Sequence, residues 1–170
     1  MAYRRSRAGD IHGWVFERPA STFFSTALSV CQTLDLHAVF VTTNPEDVPS
    51  ELATSVRHET YVPFGLLLPR SRALVSHGGI GACAQALAAG IPHLVAHSAF
   101  DQRDNGSRLE DLGVGSSIPA SKFRGRRAMH AVSSVLEKSL KTEARELSMR
   151  VDRLSALDAT CREIEAIATR

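Results

Sequence analysis

Short apolar segments of strand-forming residues alternate with helix-forming segments along this chain, and this alternation constrains the fold most strongly. Strand-like runs are predicted at 14–16, 36–41, 60–62, 73–75, 94–96 and 114–118. Between them, Phe23 to Leu34 carries apolar residues at spacings of three and four, which predicts a helix, and a second helix is predicted from Ile80 to Ala89. This order predicts a parallel sheet covered by helices on both faces, a doubly wound, Rossmann-like α/β fold.

Composition narrows the class of protein. The 170 residues are 44% apolar and 22% charged, values typical of a globular protein. The formal charge of +2 does not favour a nucleic-acid partner. Cys31, Cys83 and Cys161 form no CxxC pair, a pattern that favours free thiols in a reducing compartment. We therefore expect a cytoplasmic protein.

We expect a single domain over residues 1–170. Residues 1–12 are polar and basic and are predicted to be poorly ordered, whereas a C-terminal helix is predicted over 142–169. Within that helix, an apolar stripe runs from Leu147 to Ala168 at helical spacing and is interpreted as core. A basic cluster at 122–127 is interpreted as solvated surface, the alternative being a patch for anionic lipid or for the acceptor.

The segment from Ser76 to Gly81, Ser-His-Gly-Gly-Ile-Gly, links a predicted strand to a predicted helix. Its glycines allow positive φ and a close approach of the backbone to a ligand. The N–H groups at the start of the helix then face the turn, an arrangement that suits a diphosphate, to which His77 adds a hydrogen bond or a charge. A packing turn without a ligand is the alternative at this level.

Asp101, Gln102 and Asn105 follow the next predicted strand. Because neighbouring parallel strands end at the same edge of a sheet, we expect these residues to lie beside the glycine turn. A carboxylate and an amide at that position suit the hydroxyl groups of a sugar. The alternative is that Asp101 caps a helix and that Asn105 and Gly106 form an exposed kink.

Five stretches together resemble the donor-binding signature of family 1 glycosyltransferases, which use UDP- and dTDP-sugars and have the GT-B fold. In chain order they are Tyr61–Phe64, Leu66–Pro69, His77–Gly81, Ala89–Pro92 and Asp101–Gln102. Within this family, the stretches most resemble the bacterial type related to sterol and macrolide glycosyltransferases. The resemblance implies that the chain is the C-terminal, donor-binding half of such an enzyme.

The resemblance also implies a role for each matching residue. His77, with the backbone of Gly78, Gly79, Gly81 and Ala82, would hold the donor diphosphate. Tyr61, Phe64 and Gln85 would lie at the base and ribose, and Asp101, Gln102 and Asn105 at the transferred sugar. The catalytic base is expected in an N-terminal half, so no catalytic residue, cofactor or metal ion is assigned to this chain.

For the whole enzyme, the resemblance implies transfer of a hexose to an acceptor hydroxyl with inversion. The chain alone is then expected to be inactive, with the nucleotide sugar and an N-terminal acceptor-binding domain as its partners. One alternative is a split enzyme whose acceptor-binding half is a separate subunit, with a peripheral membrane contact. Another is a different GT-B enzyme such as an epimerase. Without the N-terminal half, part of the C-terminal stripe is expected to be exposed and to drive self-association into a homo-oligomer.

Overall fold

The computed structural model describes residues 11–15, 20–151 and 153–168, and the side chains of 22–151 and 157–168. Within these residues, six parallel strands form one sheet in the order β3-β2-β1-β4-β5-β6. The strands are β1 (Ile11–Val15), β2 (His37–Val41), β3 (Val56–Glu59), β4 (Ser71–Ser76), β5 (His93–His97) and β6 (Gly115–Pro119). This is the predicted doubly wound fold, with its topological switch point between β1 and β4.

Seven helices are described, four between strands of the sheet and three after β6. They are α1 (Ala20–Thr33), α2 (Phe64–Leu67), α3 (Ile80–Ala89), α4 (Gln102–Asp111), α5 (Gly125–Val135), α6 (Lys138–Ser148) and α7 (Arg153–Ala168). Glycines at positive φ follow two of them, with Gly90 at φ 66° after α3 and Gly113 at φ 68° after α4. In both cases the left-handed conformation ends the helix and turns the chain toward the next strand.

Alternate side chains of β5 enter two separate cores, one on each face of the sheet. Leu94 and Ala96 of β5 belong to the large core under α1 and α5, whereas Val95 packs with Leu109 of α4 and Ala144 of α6. The large core contains aromatic contacts: the rings of Phe24 and Phe40 lie 5.0 Å apart and those of Phe23 and Phe123 lie 4.7 Å apart. Burial on both faces explains why these strands read as continuous apolar runs.

The structure corrects two predicted elements near the ends of the sheet. The third strand is Val56–Glu59 and not 60–62, because it is Val56 that comes into register with Ala38 of β2. Ile11 and His12 belong to β1, so the prediction of a poorly ordered start over 1–12 is wrong for those two residues. Residues 1–10 lie outside the described part of the chain.

The single C-terminal helix predicted over 142–169 is also wrong. The structure has α6 and α7, and between them the N–H of Arg150 donates to the carbonyl of Leu147 at 2.9 Å in a closing turn. Sequence gives no sign of this break, since 142–169 contains neither glycine nor proline. In α7, Leu157 and Ile164 are 65% and 62% exposed, so this part of the stripe is not core.

Candidate functional site

The candidate site lies at the carboxyl edge of the sheet, where β4 and β5 end. The turn after β4 contains His77, Gly78 and Gly79 and leads directly into α3. The loop after β5 runs from Ser98 to Asp101 and leads into α4. Since β4 and β5 are paired neighbours, the two segments emerge side by side, next to the switch point between β1 and β4.

Gly78 is required by both conformation and space. Its φ is +89°, and a Cβ at this position would lie 2.4 Å from Cγ1 of Val95 on β5. Each condition alone means that a residue other than glycine would strain the backbone or displace Val95. The turn therefore packs directly on β5, and this contact fixes its backbone conformation.

Hydrogen bonds hold the backbone on both sides of Gly78. Its N–H donates to Oγ of Ser76 at 3.1 Å, and Oγ of Ser76 is 2.8 Å from Nε2 of His93. Its carbonyl accepts from the side-chain nitrogen of Asn105 at 2.9 Å. Ser76, His93 and Asn105 are all buried, so these bonds are shielded from water.

Fewer backbone N–H groups of this turn are available to a ligand than the sequence predicted. The N–H of Gly78 is engaged by Ser76, and that of Ala82 donates to the carbonyl of Gly79 at 3.0 Å. In the described part of the chain, the N–H groups of Gly79, Ile80 and Gly81 have no acceptor, and no side chain caps α3. Three such amides at a helix N-terminus suit an anion, whereas the predicted donors at Gly78 and Ala82 are already bonded within the protein.

His77 packs over the turn. A Cβ on Gly79 would lie 2.7 Å from Nε2 of His77, so glycine is needed for the ring to take this position. Nδ1 of His77 is buried and has no hydrogen-bond partner among the described residues. This leaves Nε2, which lies next to Gly79, as the ring nitrogen available to a ligand.

Sequence patterns did not identify Ser76 and His93, which lie beneath the turn. His93 is 1% exposed, and burial, followed by the nearby His77, lowers its pKa to about 3. The imidazole is thus neutral at ordinary pH. The signal available in the sequence was a polar residue directly beside each apolar run: Ser76 follows 73–75 in β4, and His93 precedes 94–96 in β5.

The loop after β5 is organised by Gln102. Its Oε1 accepts from the N–H groups of Ser98 and Ala99 at 2.8 and 3.1 Å. These bonds support a strained residue, Phe100, whose φ is +56° and whose side chain is 94% exposed. The oxygen of Gln102 is therefore used inside the loop, and its side-chain nitrogen is the group left to meet a ligand.

Asp101 does not cap α4 with its side chain, so that alternative is wrong. Its Oδ2 instead accepts from the side-chain nitrogen of Asn105 at 2.9 Å, and the residue is otherwise exposed. The charge of Asp101 also acts on α3, since burial, followed by Asp101, raises the pKa of Cys83 to about 11. The structure thus brings Asp101 and the glycine turn together, as predicted.

Asn105 occupies a different position from the one expected of a sugar contact. It is 8% exposed, and its side-chain nitrogen bonds both Gly78 and Asp101, which uses both of its N–H groups. The expected exposed kink is also wrong, because Gly106 is buried and a Cβ there would lie 2.7 Å from Cβ of Ser117. Asn105 joins the two loops and does not face a ligand with its amide nitrogen.

Two of the predicted base and ribose residues line one shallow groove. Phe64 of α2 and Gln85 of α3 form it together with Gly65, Pro69, Ala88 and Ala89. Gln85 follows Gly81 by one turn on the same face of α3, about 6 Å along the helix axis. Tyr61 does not line this groove, and its side chain is 76% exposed.

Two kinds of feature are absent from the described residues. No group of three or more histidine, cysteine, aspartate or glutamate side chains in the described ranges is placed to hold a metal ion. Among the helices that the structure describes, none combines the length and apolar content needed to cross a bilayer.

Comparison with known proteins places this arrangement in a family. The family model described as "Erythromycin biosynthesis protein CIII-like, C-terminal domain" matches residues 26–166. The tylactone mycaminosyltransferase of Streptomyces fradiae is 37% identical over 73 residues, which are 43% of this chain and 16% of that enzyme.

Solved structures share the fold. The calicheamicin glycosyltransferase CalG4 superposes with a TM-score of 0.80 at 19% identity, covering 96% of this chain and 45% of that one. The spinosyn rhamnosyltransferase SpnG complexed with thymidine diphosphate gives a TM-score of 0.77 at 22% identity, covering 92% and 46%. The chain therefore spans less than half the length of these relatives. It belongs to the erythromycin biosynthesis protein CIII-like C-terminal domain family, and the resemblance of its sequence to the C-terminal domain of family 1 glycosyltransferases with the GT-B fold is confirmed.

Proposed function

We propose that this domain binds the nucleotide-diphosphate-sugar donor of an inverting glycosyltransferase that transfers a hexose to an acceptor hydroxyl. One observation carries the proposal: the N–H groups of Gly79, Ile80 and Gly81 lack acceptors in the described chain and lie beside His77 at the N-terminus of α3. A diphosphate supplies the negative charge and the acceptor oxygens that such a helix end binds. The structural relative solved with thymidine diphosphate supports this choice of ligand.

Each part of the donor is then assigned to one part of the site. The diphosphate lies against the turn, the ribose and base lie along α3 toward Gln85 and Phe64, and the sugar lies toward Asp101 and Gln102. The groove beside α3 and the action of the Asp101 charge on that helix support this arrangement. Uridine and thymidine diphosphate sugars are the two donor classes proposed.

The proposed chemistry is one displacement at the anomeric carbon. The bond from that carbon to the diphosphate oxygen breaks as the bond to the acceptor oxygen forms on the opposite face, through an oxocarbenium-like state. The acceptor proton passes to a base that we place in the N-terminal half of the enzyme. Here, His77 and the free amides stabilise the charge that develops on the leaving diphosphate, while Asp101 orients the sugar.

Titration calorimetry with uridine and thymidine diphosphate tests the proposal. His77→Ala should weaken binding by about 1–3 kcal/mol, the effect of losing one contact to a charged group. His130→Ala is the matched control, because this exposed histidine belongs to α5 in the other layer of helices. Absence of binding by the unaltered chain, or equal affinity of the unaltered chain and His77→Ala, would show that the site is not the one described.

A further inference from the structure

Asn105 bridges the two halves of the candidate site. Its side-chain nitrogen lies 2.9 Å from the carbonyl oxygen of Gly78 and 2.9 Å from Oδ2 of Asp101. A side-chain amide has two N–H groups, so both donors are satisfied inside the protein. The residue therefore acts on any ligand through Gly78 and Asp101.

The backbone at each end of this bridge is rigid. On the helix side, Gly106 packs so closely on β6 that a Cβ would lie 2.7 Å from Cβ of Ser117. On the turn side, Gly78 is pressed against Val95, and its N–H is held by Ser76. The Asn105 amide thus links two fixed backbones, and the exposed Asp101 side chain is the one movable group that it holds.

We propose that Asn105 is a positioning residue that fixes the Asp101 carboxylate relative to the diphosphate-binding turn, and so couples sugar binding to diphosphate binding. This inference rests on the proposed function. Without Asn105, Asp101 rotates freely in solvent and must be ordered each time a sugar binds, which costs side-chain entropy. The loss falls on the sugar, because Ser76 and Val95 still hold the turn.

The measured quantity is the preference for the sugar nucleotide, defined as the Kd of the nucleoside diphosphate divided by the Kd of its glucose conjugate. Titration calorimetry gives it with uridine diphosphate and UDP-glucose, and with thymidine diphosphate and dTDP-glucose. Asn105→Ala should lower this preference by about two- to tenfold, the effect of weakening one hydrogen bond to the sugar. Asn105→Asp, which keeps the size of the side chain and removes both donors, should lower it as well.

A double-mutant cycle separates positioning from direct contact. If Asn105 acts through Asp101, then Asn105→Ala should have no further effect on the preference in an Asp101→Ala background. An equal loss in both backgrounds, or an unchanged preference in Asn105→Ala, would overturn the inference. If the unaltered chain binds no nucleotide at all, the proposed function fails first and the inference fails with it.

A control and a second measurement complete the test. Arg108→Ala removes the exposed ion pair with Asp104 on α4, and it should leave the preference unchanged. In the unaltered chain, the side-chain amide protons of Asn105 should exchange with solvent more slowly than those of the exposed Asn44. Equal exchange would contradict the bridge without relying on any variant.

Discussion

His93 and Ser76 face each other beneath the glycine turn, with Nε2 of His93 2.8 Å from Oγ of Ser76. The same oxygen accepts the N–H of Gly78, so the pair forms the support on which the turn rests. His93 is 1% exposed, and its Nδ1 has no partner in the described part of the chain. Protonation would place an uncompensated charge in the core, directly below the proposed diphosphate site.

The first prediction is a loss of stability in mild acid. Burial, followed by the nearby His77, lowers the pKa of His93 to about 3 from an unfolded value of 6.5. Because the unfolded chain binds the proton first, the contribution of His93 is complete above pH 6.5 and is lost as the pH falls toward 3. Chemical denaturation between pH 7 and pH 5, above the range where most carboxylates titrate, should show a falling free energy of unfolding.

His93→Gln keeps a hydrogen-bonding side chain beside Ser76 and removes the titrating group. It should flatten the dependence on pH over this interval, whereas His130→Gln on the surface should keep the slope of the unaltered chain. The same slope in His93→Gln and in the unaltered chain would assign the pH dependence to other groups.

The second prediction contrasts two glycines of one motif. Gly78→Ala should destabilise the chain by about 1–3 kcal/mol, since its Cβ would overlap Val95 and its φ is +89°. Gly81→Ala should be neutral or stabilising by up to about 1 kcal/mol, because nothing lies within 4 Å of its Cβ in a helical conformation. Thermal and denaturant unfolding of both variants measure the difference. Equal effects would show that the turn is not pressed against β5.

The third prediction separates the sugar contact from the phosphate contact. Asp101→Ala should weaken binding of the sugar nucleotide more than that of the free nucleoside diphosphate, by a few-fold to tens-fold. His77→Ala should weaken both alike, since each ligand carries the diphosphate. Titration calorimetry with the four ligands named above provides the comparison. A uniform loss in Asp101→Ala would mean that this carboxylate does not contact the sugar.

The fourth prediction concerns catalysis. This chain alone should show no transfer of sugar and no hydrolysis of a nucleotide sugar above the uncatalysed rate, because we place the base and the acceptor contacts in an N-terminal half. Release of nucleoside diphosphate from UDP-glucose and dTDP-glucose, followed over time, measures it. Turnover that Asp101→Ala abolishes would place the chemistry within this domain.

Sequence patterns alone determined the fold class and the place of the site. Alternating apolar and helical segments require a parallel sheet with helices on both faces, since strands of this kind must be buried on both sides. The residues from His77 to Gly81 then necessarily lie at the carboxyl edge, because a strand precedes them and a helix follows. Local order along the chain contains that information.

Only the tertiary structure decided which contacts each residue of the candidate site makes. Asn105 and Gly78 are 27 residues apart, and no local pattern reveals that the amide of one holds the carbonyl of the other. The same is true of Ser76 and His93, and of the break between α6 and α7, which no glycine or proline marks. Hydrogen-bond partners depend on strand register and helix packing, so they become defined only when distant segments meet. The sequence therefore determined which residues reach this edge, and the packing of α4 and β5 against the turn decided which of them hydrogen-bond to it and which remain exposed.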